Sequence, residues 1–232
     1  MIRMARLALL ATLTALAACS VTPVRMVVPS ELTAGVERIE IKGLGSRGSG
    51  SFRSSAGNGS FERSADRLVL FNDVALLDRA LARFAFDGKS DAASGECRME
   101  RNSLAVGIAN VTMTQPLVYR CAFVLSPGGA ASTLTLREEE AGRSGLQSAR
   151  RAGVVDYGVT QLTIESVNAI QGSSLLLAQP IGYLFKIDGR TVGAVDLADA
   201  PVAIVRDGTS ADARRAIILS SLALGLLWDP AP

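Results

Sequence analysis

The sequence predicts a mainly β protein, an antiparallel barrel or sandwich with a buried apolar C-terminal helix and room for one short amphipathic helix. Three observations lead there. Short strand-like runs recur between residues 36 and 205, separated by turn chemistry and with few βα alternations. Residues 216–228 carry no charge, so a helix there is apolar on every face and must be enclosed or lie in a membrane. Cys97 and Cys121 stand in strand-like flanks about a midpoint near Asn110, where an antiparallel hairpin brings two sulfurs together.

Residues 20–34 contain two prolines and no apolar period that calls for burial, so 19–35 reads as a tether ahead of a single domain over 36–232. Residues 36–42 alternate, with Ile39 and Ile41 on one face and Glu40 and Lys42 on the other, a half-buried strand. Residues 43–60 hold six Gly and six Ser and read as a flexible loop or a pair of Gly-rich strands. Asn72 is placed to cap a helix over 73–84, whose Val74, Leu77, Leu81 and Phe84 share a face, although residues 83–86 equally begin a strand. Further strand-like runs cover 67–71, 103–108, 117–125, 132–137, 159–167, 181–187, 190–197 and 201–205. Ser126-Pro127-Gly128-Gly129, Asp188-Gly189 and Asp207-Gly208 supply turns, and 181–197 is the clearest hairpin. Thr209 and Asp212 have capping-box spacing for a helix over 213–228, which Asp229-Pro230 stops. At about 13 uncharged residues it is short for a membrane span, which needs about 20. It is expected to be core, with docking to a partner or the bilayer as the other reading.

At the N-terminus, Arg3 and Arg6 precede an uncharged apolar run over 7–16, then Ala17 and Ala18. Leu16-Ala17-Ala18-Cys19 resembles the lipobox of bacterial lipoproteins. That resemblance implies that residues 1–18 are a signal peptide, that the Cys19 thiol takes a diacylglyceryl group, and that cleavage makes Cys19 an acylated N-terminus. Two or more chains give stable anchoring where one does not. Ser20, in place of Asp, points in a two-membrane bacterium to the outer membrane, with the domain on its periplasmic face. An exported chain meets an oxidising compartment, so Cys97 and Cys121 are expected to pair.

Gly193-Ala194-Val195-Asp196-Leu197, then Ser210-Ala211-Asp212-Ala213-Arg214-Arg215 and the apolar 216–228, resemble the tubby C-terminal-like superfamily, which includes the phospholipid scramblases. The resemblance covers about residues 180–229 and implies a hairpin-rich barrel closed around a C-terminal helix. Family members often bind phosphoinositides through basic clusters. This chain lacks such a cluster, so that function is not implied.

Composition narrows the chemistry. Without residues 1–18 the chain has 22 basic and 22 acidic residues, and a neutral domain lacks the footprint of a nucleic-acid binder. There is no histidine, which removes Ser-His-Asp and Cys-His arrangements and most zinc sites. A Ser-Lys dyad would need Lys42, Lys89 or Lys186, and no Ser-x-x-Lys motif supports one. Gly43-Leu44-Gly45-Ser46-Arg47-Gly48 fits a dinucleotide fingerprint, but Ser49-Gly50-Ser51-Phe52 after it will not start the helix that receives the pyrophosphate. Glu138-Glu139-Glu140 lacks the alternating loop of a calcium site and reads as a solvated acidic turn.

Arg47, Arg53 and Arg63, with Arg67 beyond them, make the Gly-rich stretch the best candidate interaction surface, for a protein, glycan or lipid phosphate. No catalytic residue, metal or cofactor is expected. The sequence thus points to a non-enzymatic envelope lipoprotein with a structural or accessory role through protein or lipid contacts. The alternative is a carrier or sensor of an apolar ligand, in which Leu219, Leu222 and Leu226 line a cavity. A histidine-free hydrolase ranks last.

Overall fold

The computed structural model describes residues 24–45, 47–70, 75–89, 92–106, 111–126, 131–139 and 148–228. Twelve strands form one antiparallel up-and-down sheet: β1 (Val36–Glu40), β2 (Ser49–Arg53), β3 (Gly57–Leu70), β4 (Ala75–Gly88), β5 (Ala92–Val106), β6 (Val111–Ser126), β7 (Ser132–Glu138), β8 (Arg151–Tyr157), β9 (Thr160–Val167), β10 (Gly182–Ile187), β11 (Arg190–Asp196) and β12 (Val202–Arg206). The spatial order is sequential from β2 to β12, with β1 added beyond β12. The ladder is open between β1 and β2. Its two edges touch at one bridge, where Lys42 and Arg53 exchange backbone hydrogen bonds of 2.9 Å each way.

The helix α1 (Ala211–Gly225) accounts for this curl. Ten of its residues are buried, including Ile217, Ile218, Leu219, Leu222 and Leu224 on different faces. It packs against β5, β8, β9, β11 and β12, so the sheet wraps around it. The single sheet around α1 makes the architecture barrel-like. Ser210, not Thr209, caps the helix: its Oγ accepts from the Ala213 N–H at 3.3 Å, while Thr209 Oγ1 donates to the Val192 carbonyl. At the other end the buried Tyr119 hydroxyl donates at 2.6 Å to the Ala223 carbonyl, a last-turn acceptor that among the described residues otherwise takes only the Leu226 N–H at 3.2 Å. Burial raises the Tyr119 pKa well above the ordinary phenol value, so this donor keeps its proton.

Residues 75–88 form strand β4, which corrects the expected helix over 73–84; Asn72 and residues 73–74 lie outside the described residues. Ala82, Phe84 and Phe86 are buried and Arg83, Ala85 and Asp87 exposed, the period of two that a half-buried strand requires. Glycines opposite the aromatics make room for them. Phe84 pairs with Gly95, which pairs with Phe123, and a Cβ on Gly95 would lie 2.3 Å from the Phe84 ring. Residues 43–60 resolve into the Gly-rich strand option, β2 and the start of β3.

The segment over 24–35 is also corrected: it is packed, not a tether. Met26 and Leu32 are buried with Ala194, Val202 and Ile204 in a second cluster on the outer face of β10 to β12. Those strands are therefore covered on both faces, which is why they read as apolar without alternation.

β5 and β6 pair with Cys97 opposite Cys121, and the two form a disulfide in the core. The hairpin reading of the cysteine flanks is thereby met. Closing a loop of this length stabilises the fold by about 3.5 kcal/mol on the chain-entropy model. Chemical denaturation with and without reductant, and of a Cys97→Ala/Cys121→Ala variant, is expected to show a loss of that order in both cases.

Candidate functional site

The up-and-down order brings the C-terminal ends of β1, β3, β5, β7, β9 and β11 and the N-terminal ends of β2, β4, β6, β8, β10 and β12 to one end of the barrel. A cleft of about 760 Å³ opens at this end. Its floor is Ile41, Leu44, Phe61 and Pro201, and its rim carries Arg47 and Asp199. Two constraints shape it. Gly43 has φ +102°, and a Cβ there would lie 2.4 Å from the Ser51 carbonyl oxygen, so the chain leaves β1 by a turn only glycine adopts. Leu44 then folds under the helix terminus beside Gly225 and Pro201.

Of the three expected arginines, the structure brings two together. Arg63 donates from Nε to the Arg47 carbonyl at 3.0 Å and from Nη2 to the Gly45 carbonyl, with its guanidinium 5.8 Å from the centre of the Phe61 ring. It ties down the connector, leaving Arg47 exposed at the rim. Arg53 is exposed in β2 at the closing bridge and does not line this cleft. Arg67 is held by Asp78 through two hydrogen bonds of 2.6 and 3.1 Å. The cleft offers one guanidinium, one carboxylate and an apolar floor, a combination suited to binding a polar group attached to an apolar body.

The dinucleotide reading fails on structure, because residues 43–48 run into strand β2 instead of a helix N-terminus. Glu138 is no solvated turn residue: Arg101 Nη2 donates to it at 2.6 Å, and Arg151 lies 3.9 Å away. Arg151 also donates to Tyr183 Oη and Gln179 Oε1. These paired charges cap the core at the cleft end, and sequence reasoning missed them. The signal was legible in β4, where Asp78 has the inward parity of Ala82 and Phe84. Lys42 pairs with Glu40 and Lys186 with Glu165, not with a serine. No group of carboxylates and cysteines suited to a metal ion occurs among the described residues. Cys19 lies outside the described residues.

A second cleft of about 340 Å³ lies at the opposite end, beside the start of α1, lined by Glu37, Phe86, Lys89, Asp212, Arg214 and Arg215. Arg214 grips Glu37 with two hydrogen bonds of 2.7 and 2.8 Å, joining α1 to β1. The hydrogen bond from Arg214 holds the Glu37 carboxyl below the usual carboxylate range, against a smaller opposing effect of burial. No family model, curated protein or solved structure matches the chain.

Gly43→Ala is expected to cost about 1–3 kcal/mol in a thermal melt, whereas Gly45→Ala, with no atom within 4 Å of the added Cβ, is near neutral. The depressed Glu37 pKa contributes stability that is present above the unfolded carboxyl value and lost as pH falls through the folded one. Both side chains are about 40% exposed, so screening limits the pair to at most about 1 kcal/mol. The stability gap between wild type and Glu37→Gln, followed by melting against pH, should be present at neutrality and close in acid.

Proposed function

We propose that this protein is a lipid-anchored component of the bacterial cell envelope, seated on the periplasmic face of the outer membrane, with a non-enzymatic accessory or binding role. The observation that carries the reading is Leu16-Ala17-Ala18-Cys19 at the end of an apolar leader. The core disulfide Cys97–Cys121 supports it independently, since such bonds persist in oxidising compartments. A helix-filled sheet also supports, as a proposal about architecture only, kinship with tubby-like barrels.

The accessory role is favoured over the carrier. Leu219, Leu222 and Leu226 are at most 1% exposed, and none of them lines either cleft. Recognition then falls to the surface, with the 760 Å³ cleft and Arg47 as the place for an envelope protein or lipid to bind.

Growth with radiolabelled palmitate tests the anchor directly. Label is expected in the wild-type chain and absent from Cys19→Ala. An unlabelled wild-type chain of full signal-peptide mass would overturn the reading.

A further inference from the structure

Six of the eight large apolar side chains exposed among the described residues lie at the cleft end of the barrel. Leu68 and Val69 are at the far end of β3. The other four, Val24, Val27, Leu175 and Leu176, sit on or directly beside one small ribbon. Here residues 25–27, 169–171 and 175–177 run side by side. The Val27 N–H donates to the Ala169 carbonyl and the Gln171 N–H to the Arg25 carbonyl, each at 2.9 Å. Antiparallel bridges join Met26 to Ile170 and Ala169 to Leu176. One rung of the ribbon is therefore Val27, Ala169 and Leu176.

The ribbon is fixed to the body from beneath. Met26, 1% exposed, is sunk beside Gly182, and its N–H faces Asp196 Oδ2 at 3.4 Å. Asn168 donates to the carbonyls of Ala149 and Leu177, holding the loop that carries the leucines. Leu175 and Leu176 are nevertheless 72% and 65% exposed. A loop fastened in this way, with two adjacent leucines held in water, is suited to meeting an apolar surface.

The chain itself says which surface. Val24 directly precedes the ribbon and stands five residues after Cys19. Five residues reach at most about 18 Å, at 3.3–3.6 Å each. We propose that the ribbon of Val24, Val27, Leu175 and Leu176 is a membrane-docking surface, lying on the same lipid leaflet that holds the acyl chains of Cys19. This rests on the lipoprotein reading above. The leucines then enter the boundary between headgroups and acyl chains, and Arg25, 43% exposed, stands at headgroup level. The depth is interfacial, where water still reaches the open backbone edges that hydrocarbon would not tolerate. The short reach holds the domain against the membrane instead of suspending it.

The test uses the full lipidated protein in vesicles of phosphatidylethanolamine and phosphatidylglycerol with brominated acyl chains. Trp228→Phe removes the single native tryptophan. Leu176→Trp then reports from the ribbon, Leu175→Trp serves if the first variant misfolds, and Val159→Trp reports from the opposite end. A ribbon seated about 5–10 Å into the boundary is expected to lose roughly half its tryptophan emission to bromine, while Val159→Trp keeps its own. Emission from the ribbon unchanged in vesicles that carry the protein overturns docking and leaves the anchor standing. Equal quenching at both ends overturns the assignment to this face. A chain that mass spectrometry finds without acyl groups overturns the anchor and the docking with it, by a separate readout.

Discussion

A helix without charge from Ala216 onward has no face to give to water, and the rest of the chain is arranged around that constraint. Burying a single large aliphatic side chain is worth about 1.5–3 kcal/mol, and α1 buries Ile217, Ile218, Leu219, Leu222 and Leu224 in directions that no single flat layer covers. The sheet meets this by curling until strands as distant in order as β5 and β12 both touch the helix. The helix ends must then be satisfied from inside. Ser210 does so at the start, and the Tyr119 hydroxyl from β6 does so near the finish. Leu44 and Pro201 cover the last turn beside Gly225.

Wrapping a helix fixes what each strand carries inward. Where the inner face is filled with large rings, the neighbouring strand supplies glycine, as Gly59 does beside Phe52 and Gly95 beside Phe84. At the cleft end the apolar layer stops at Asp78, Arg101, Glu138 and Arg151, four charged groups in contact with one another or with Arg67, Tyr183 and Gln179. Buried charges of this kind add little net stability when paired and are costly when a partner is removed. Their effect is to end the core at a defined level.

The parts of this fold that were legible in the sequence are those set by local pattern. The hairpin of β10 and β11 came from apolar runs around Asp188-Gly189, and Asp188 and Gly189 both adopt positive φ. The cysteine register came from a symmetric spacing. The illegible parts depend on distant partners. Val74, Leu77, Leu81 and Phe84 fit a helix, yet Ala80, Ala82, Phe84 and Phe86 fit a strand equally well. What decides is Phe61 on one side and Gly95 on the other, which no local window contains. β8 was missed because Arg151 and Gly153 interrupt its pattern, and a Cβ at Gly153 would lie 2.2 Å from the Thr135 carbonyl oxygen. The cleft was half legible: the glycines and Arg47 drew attention, while Asp199 and Pro201 arrive from a turn about 150 residues later.

Residues 19–35, read alone, form a spacer, because two prolines and no clear period give no reason for burial. The reason for packing residues 25–27 lies far along the chain: Val27 is fastened to Ala169, Met26 to Gly182 and Asp196, and Arg25 to Asp196. A spacer of 17 residues lets a domain range freely above a membrane; one that ends at Val24 does not. With Cys19 acylated, the same contacts that cover the outer face of β10 to β12 also set the height of the barrel above the lipid and the end it presents. On the proposed docking, the cleft under Leu44 and the ribbon of Leu175 and Leu176 would face the leaflet, and a partner recognised there would itself lie at the membrane surface.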